Sequence, residues 1–425
     1  MTFNQFIICN SCNTTIDLRA QIGYFDIKFN IHCPECLTHI YGILFIDQEN
    51  IGLKFELENA HIMENVDLEI ANYYVAELSA EFPTKKMYIR NIKEFDCVPY
   101  IRNFKFYDND KKAVEATNEA MKFAKYIKSD WNKIKTLYEL FWNKQRTFLF
   151  PKIENKIKKY QWIPLYKVTN DLDATMALHQ LLLTTSGISS ILEANSLSEY
   201  SEISKLIFKK DNYKELLKYV SYISSEFNSI EKKGFKLIDN FTKIYQQLVP
   251  IVALRSANCI DNVDRKKYGI MTANFEELTD YYAKSYEWIL DNINLVIALN
   301  NIIIRNEYTS CANNKSYDNI LSICSKYKKL DYIEESEPFS KPTGSLRNSI
   351  RNAIQHFDSE IDYVSQKIVF TDCYRGNKKE EYLYLMDFAS LCIENFSIII
   401  YIFELVYNLK KSYYMFKGLK PSIKL

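Results

Sequence analysis

The run Arg351-Asn352-Ala353-Ile354-Gln355-His356 places an arginine and a histidine five positions apart. Such a pair can cleave RNA without a metal, because a guanidinium fork holds phosphate oxygens while an imidazole moves protons near neutral pH. In that chemistry the 2′-hydroxyl attacks the adjacent phosphate, and extra negative charge develops on the phosphoryl oxygens. On an α-helix Asn352 and His356 share a face, and Arg347 with Arg351 forms a neighbouring pair four residues apart. The competing reading is a capping or core histidine, with Arg351 paired to Asp358 or Glu360. Of the five histidines, His32, His39, His61, His179 and His356, the last alone follows arginines at helical spacing.

A second pattern concerns metal. Cys9-x2-Cys12 and Cys33-x2-Cys36, with 20 residues between the pairs, have the spacing of a four-thiolate zinc site. Each pair can form a tight knuckle, and two knuckles complete a tetrahedron with no open position for water, so the Zn²⁺ is expected to be structural. Ile27, Phe29 and Ile31, then Ile51, Leu53, Phe55 and Leu57, alternate with polar residues and predict strands. This region resembles a zinc ribbon of about 60 residues. His32 and His39 beside the second knuckle are expected at the surface.

Two further constellations compete for function. Cys259-x5-Arg265 is the spacing of a phosphatase loop, in which backbone N–H groups and an arginine surround a phosphate while a thiolate attacks. The alternative is a loop whose Asp261 and Asp264 cap the following helix. Lys144, Arg146, Lys152, Lys156, Lys158 and Lys159 are interleaved with Trp142, Phe148, Tyr160 and Trp162. Cations and rings mixed in this way suit single-stranded RNA, or form the solvated face of a helix with its aromatics in the core.

These residues need a scaffold, and 425 residues with 47% hydrophobics suffice for two or three domains. The 54 basic and 53 acidic residues leave a net charge of +1, so RNA contact must come from local patches. Only 9 Gly and 9 Pro point to few tight turns and a mainly helical chain. The N-terminus lacks the pattern of a secretion signal. Charged and amide residues interrupt the apolar stretches near 289–304 and 391–407, so a cytoplasmic protein with reduced thiols and no membrane partner is expected. Helical periodicity runs through Ala113–Phe150 and Tyr213–Leu248, with a short strand expected around Met87–Phe95. Phe275 through Ile304 predicts one long helix. After Pro338, Pro342 and Gly344, Ser345 offers an N-cap to a helix carrying Arg347, Arg351 and His356. A small hairpin of Ile361–Tyr363 with Lys367–Phe370 and a long helix Tyr382–Asn408 complete the chain.

Arg351, the polar Asn352 after it and His356, between two long apolar helices, resemble the HEPN superfamily of all-helical ribonucleases. The resemblance covers roughly residues 265–410. It implies a homodimer in which both copies of the motif form one site, with Arg347, Arg351, Asn352 and His356 acting on RNA. It also implies an anti-phage, abortive-infection or toxin-type effector, with a phage-derived trigger or an antitoxin as further partner. Asn258-Cys259-Ile260-Asp261 and Val263-Asp264-Arg265 are similar to the active-site loop of Sac-type phosphoinositide phosphatases. That family has Cys where Asn262 stands and Thr or Ser where Lys266 stands. The expected organisation is a β zinc ribbon over 1–60, a helical middle domain over 61–255, and a HEPN-like helical bundle over 256–425. The basic cluster, with Lys144, Arg146, Lys156, Lys158 and Lys159 foremost, would guide RNA toward the nuclease. A non-catalytic RNA- or protein-binding role for the HEPN-like domain stays open beside these.

Overall fold

A computed structural model describes the chain except residues 48–51, 65–71, 92–95, 161–162, 166, 193–194, 312–314, 335, 375–376 and 424–425. Ile51, Trp162 and the end of the stretch Met87–Phe95 therefore lie outside the described residues. An N-terminal β region carrying the four cysteines precedes a mostly helical remainder. Compactness divides the chain into two units that are each discontinuous in sequence. One comprises Met1–Met121, Thr242–Ala283 and Arg347–Ile393; the other comprises Lys122–Phe241, Lys284–Leu346 and Glu394–Leu425.

In the first unit nine strands come early: β1 (Thr2–Cys9), β2 (Thr15–Gln21), β3 (Ile27–His32), β4 (His39–Asp47), β5 (Gly52–Glu58), β6 (Ala60–Ile62), β7 (Asn72–Leu78), β8 (Thr84–Lys85) and β9 (Tyr88–Asn91). One sheet has the order β6-β1-β2-β7-β9, with β2 and β7 parallel; a second is the antiparallel meander β3-β4-β5. Alternation explains the core. Ile16, Leu18 and Ala20 of β2 join Ile27, Phe29 and Ile31 of β3 and Ile40 and Leu44 of β4 in one buried cluster. The β region thus extends past residue 60, because β2 acquires β7 as a neighbour from beyond the ribbon.

The opposite face of β2 carries Asp17, Arg19 and Gln21, and these are buried too. Arg19 and Arg102 both pair with the fully buried Glu77, while Arg19, Arg102 and Lys85 all reach Asp96. Buried charges in this cluster are paired with one another, which offsets part of the cost of taking them out of water.

A short pair, β10 (Tyr268–Gly269) with β8, precedes the C-terminal part of the unit. There the helix Asn348–Gln355 packs on a three-stranded meander: β11 (Ser359–Asp362), β12 (Lys367–Tyr374) and β13 (Asn377–Tyr384). The expected two-stranded hairpin is therefore larger, and the last helix runs Leu385–Phe416 rather than from Tyr382. Lys378 and Glu380 pair at 2.7 Å across two positions, which a strand face allows and a helix does not.

The helix bearing the motif also starts later than Ser345. Arg347 occupies its N-cap position in extended conformation with no side-chain cap, and Glu381 of β13 accepts from both Arg347 and Ser349, each at 2.7 Å. A carboxylate from a distant strand thus holds two side chains of the helix's first turn at its positive end.

The second unit is helical, including Trp131–Trp142, Arg146–Ile157, Asp171–Gln180, Ser196–Ile207 and Tyr213–Ile223. Its core is aromatic, with Phe241 stacked on Phe396 at 3.8 Å and Trp131 on Phe235 at 5.5 Å. The single long helix expected from Phe275 to Ile304 is two helices, Phe275–Asp291 and Ile293–Arg305. Asn292 divides them, because its side chain takes the carbonyl of Trp288 at 2.7 Å in competition with the backbone. By length and composition Phe275–Arg305 and Leu385–Phe416 are apolar enough to cross a membrane, and most of each apolar window is buried inside the protein.

Asp17 gives the fold a pH dependence. Asn4 donates to its Oδ2 at 2.9 Å, and Oδ1 has no hydrogen-bond partner among the described residues. Burial, opposed by the charges of Arg19 and Arg90, pushes this carboxyl up from 3.8 to about 7. A pKa raised by folding favours the fold fully below the unfolded value, and that contribution is lost as pH rises through the folded value. Between about pH 4 and pH 7 the wild type should lose on the order of 2–4 kcal/mol from this group. Asp17→Asn should flatten that decline in thermal melts; identical pH profiles for the two proteins would contradict the assignment.

Candidate functional site

The four cysteines meet because two hairpin turns have the same construction. Cys9 ends β1 and Cys12 lies in the turn to β2; Cys33 follows β3 and Cys36 lies in the turn to β4. In each turn the backbone N–H of the residue after the second cysteine donates to the carbonyl of the first, Asn13 to Cys9 and Leu37 to Cys33, both at 2.9 Å. Those residues are left-handed, with φ 61° at Asn13 and 58° at Leu37. A threonine comes next, and its hydroxyl lies against the second sulfur: Thr14 at 3.0 Å from Cys12, Thr38 at 3.1 Å from Cys36. The repeated unit is thus Cys-x2-Cys-x-Thr, and the threonines are site residues that the cysteine spacing alone does not reveal.

All four Sγ atoms lie within 4.8 Å of one another. Cys9 to Cys36 is 3.7 Å and Cys12 to Cys33 is 3.5 Å. A thiolate tetrahedron around Zn²⁺, with Zn–S of about 2.3 Å, has an edge of about 3.8 Å, so the cage has the size for such a cation. The sulfurs differ in acidity. The Thr38 hydroxyl and backbone N–H bring the Cys36 thiol down to about 6, whereas burial pushes Cys33 up to about 12. A bound cation would supply the positive charge that keeps Cys33 a thiolate.

His32 and His39 are half-buried rather than surface residues. The His39 ring stacks on Tyr363 at 5.3 Å and His32 meets the same ring edge-on at 5.1 Å. Burial lowers the pKa of both, with the His39 charge adding to the effect at His32. Neutral rings follow, suited to packing beside the second knuckle.

The arginine–histidine motif is assembled at both ends of its short helix. Ile350 and Ala353 are fully buried, which leaves Arg347, Arg351, Asn352 and His356 toward the outer side. Arg347 is paired with Glu381, Arg351 donates to Asn352 at 2.9 Å, and Asn352 lies 3.3 Å from Asp372. His356 is the C-cap residue, and its backbone N–H still donates to the Asn352 carbonyl at 3.0 Å, so it closes the last turn of the helix four positions after Asn352. Its ring is exposed and bonds to no described residue. By contrast His179 bonds Glu404 at 2.6 Å and His61 bonds Asn10 at 2.7 Å. Glu381 and Asp372 carry no local signal for this site, because they arrive from strands paired only in the folded sheet.

Around Cys259 the polarity is the reverse of an anion cradle. Cys259 is buried, with its Sγ 3.3 Å from the Ala257 carbonyl. Arg265 is turned onto the loop's own carbonyls, those of Ile260 and Val263, and onto Asp387 at 3.0 Å. The N–H groups of Cys259, Asn262 and Val263 already donate to Leu254, Cys259 and Ile260. The structure brings Cys259 and Arg265 into one loop in which Arg265 and the N–H groups of Asn262 and Val263 are already engaged.

The basic cluster is divided. Arg146 pairs with Asp171, and Lys156 with Asp130 at 2.6 Å. Trp142 donates to Glu231 at 2.6 Å. Lys144, Lys152, Lys158 and Lys159 are exposed, and Phe148 is 62% exposed between the first two.

No family model, no curated protein and no solved structure matches this chain. Its chemistry therefore rests on the residues themselves. The four-cysteine centre gives the most direct check. Purified protein should carry about one zinc per chain by elemental analysis. Cys33→Ser should lose the metal and melt several degrees lower; a wild type free of metal, or a serine variant that keeps it, would contradict the site.

Proposed function

We propose that this protein is a metal-independent endoribonuclease of HEPN type, acting as a growth-arresting effector of the abortive-infection or toxin class. The observation that carries the reading is His356. Among the described residues it is the histidine left exposed and without a side-chain partner, and it follows Arg351 and Asn352 on the same outer surface. Histidines kept for packing are held as His179 is, between Glu404 and the Tyr407 ring. An unconstrained imidazole beside guanidinium groups is the arrangement that proton transfer at a phosphate requires.

In the proposed reaction the 2′-oxygen bonds to phosphorus and the P–O5′ bond breaks. His356 takes the 2′-proton or returns one to the departing 5′-oxygen, and Arg351 bears on the phosphoryl oxygens as their charge increases. The products carry 2′,3′-cyclic phosphate and 5′-hydroxyl ends. Arg347, paired with Glu381, is a positioning residue that releases or shares its carboxylate when phosphate arrives. A second copy of the chain would supply the opposing motif, so the active species is a homodimer. The thiolate cage would hold structural Zn²⁺ in the cytoplasm, and the exposed lysines near Phe148 would contact the RNA backbone. A phage-derived trigger or an antitoxin would set when the enzyme acts.

Expression of matched amounts of wild type, His356→Ala and Cys259→Ser in a bacterial host tests the reading. Fragmented total RNA and growth arrest are expected for wild type and Cys259→Ser, and neither for His356→Ala. Arrest that requires Cys259 while RNA stays intact would overturn it in favour of a phosphatase.

A further inference from the structure

Phe357 stands directly after His356 and is 92% exposed, more than the other exposed large apolar residues of the described chain. Its backbone is left-handed, with φ 60°. That conformation comes from how the helix ends. The Phe357 N–H donates to Ile354 at 3.2 Å and the Asp358 N–H to Ala353 at 2.8 Å, the two bonds of a Schellman stop. The position after the C-cap in this motif is ordinarily glycine, because a side chain there crowds its own backbone. A phenylalanine costs conformational energy at this point and, being exposed, returns no burial. The turn is nonetheless well held, since Thr371 of β12 donates to the Asp358 carbonyl at 2.9 Å. The ring is thus offered to solvent from a fixed stop beside the one unengaged histidine.

From this we infer that Phe357 is a base-stacking platform that selects an unpaired nucleotide for the ribonuclease site. The inference rests on the ribonuclease reading. Adjacent Cα atoms lie 3.8 Å apart, so a ribose with its 2′-hydroxyl at His356 has its own base within reach of the next side chain. Both faces of a base inside a duplex are covered by its neighbours, whereas an unpaired base has a free face for an aromatic ring. The substrate class is single-stranded or looped RNA, with little preference among the four bases because every base has a π face.

The test uses the full-length protein with Phe357→Gly and Phe357→Trp. Cleavage is measured on a labelled single-stranded oligonucleotide and on a perfect duplex, and binding is measured with each change combined with His356→Ala. Wild type should prefer the single strand. Phe357→Gly should lose about tenfold in single-strand affinity and in that preference, the size of one base stack. Its melting temperature should hold or rise, because glycine suits the left-handed turn. Phe357→Trp should retain the affinity. If wild type cleaves RNA and Phe357→Gly binds and cuts equally well, the platform is overturned while the nuclease stands. If Phe357→Gly instead converts a dimer to a monomer, the ring is a subunit contact and the inference fails. Absence of cleavage by active, folded wild type removes the nuclease reading and this inference together.

Discussion

The first unit depends on four sulfur atoms brought within one coordination radius. The β1–β2 turn belongs to the five-stranded sheet and the β3–β4 turn to the meander, so a cation held by Cys9, Cys12, Cys33 and Cys36 would tie the two sheets at one end. The buried cluster of Ile16, Leu18, Ile27, Phe29, Ile31 and Ile40 lies along the strands leading from those turns. Hydrophobic burial fixes the register within each sheet, since a slip of one residue would expose each inward side chain, but it sets no covalent tie between the two turns. A cation in the cage would add that tie. The cage also demands the left-handed backbone at Asn13 and Leu37, a strain the fold accepts to aim both knuckles inward.

How much of this was legible in the sequence varies with the range of the interaction. Cys-x2-Cys is a local pattern, and β3 and β5 announce themselves by alternation. The helices Trp131–Trp142 and Tyr213–Ile223 follow from apolar spacing at three and four. What escaped is decided by distant partners. Arg19 and Glu77 lie 58 positions apart, and Glu381 reaches the motif helix from 34 positions beyond Arg347. No single-sequence pattern links such pairs. Asn292 shows a subtler failure: the apolar face runs on from Phe275 to Ile304, but one side-chain hydrogen bond ends the first helix.

The candidate site shows the same division. The types and spacing of Arg351, Asn352 and His356 were visible, and the His356 N–H does bond the Asn352 carbonyl as in a helix, yet no local pattern marked the turn directly after it. The helix stops at Gln355 and the chain turns through Phe357 into β11, leaving the imidazole on the rim of the stop. The Cys259 loop fared differently. Its spacing suits a phosphate cradle, but Asp387 and the loop carbonyls occupy Arg265. The two patterns thus differ in that His356 bonds to no described residue, whereas Arg265 is held by Asp387 and the loop carbonyls.

In the proposed reaction the P–O5′ bond breaks as the 2′-oxygen attacks phosphorus, and the ends of the products report on that step. Purified full-length protein would be incubated with a labelled RNA in buffer without added divalent cations, and the fragments analysed by mass spectrometry. The account predicts 2′,3′-cyclic phosphate on the upstream fragment and a 5′-hydroxyl on the downstream one. Fragments ending in 3′-hydroxyl and 5′-phosphate, or cleavage that appears only on adding Mg²⁺, would contradict it.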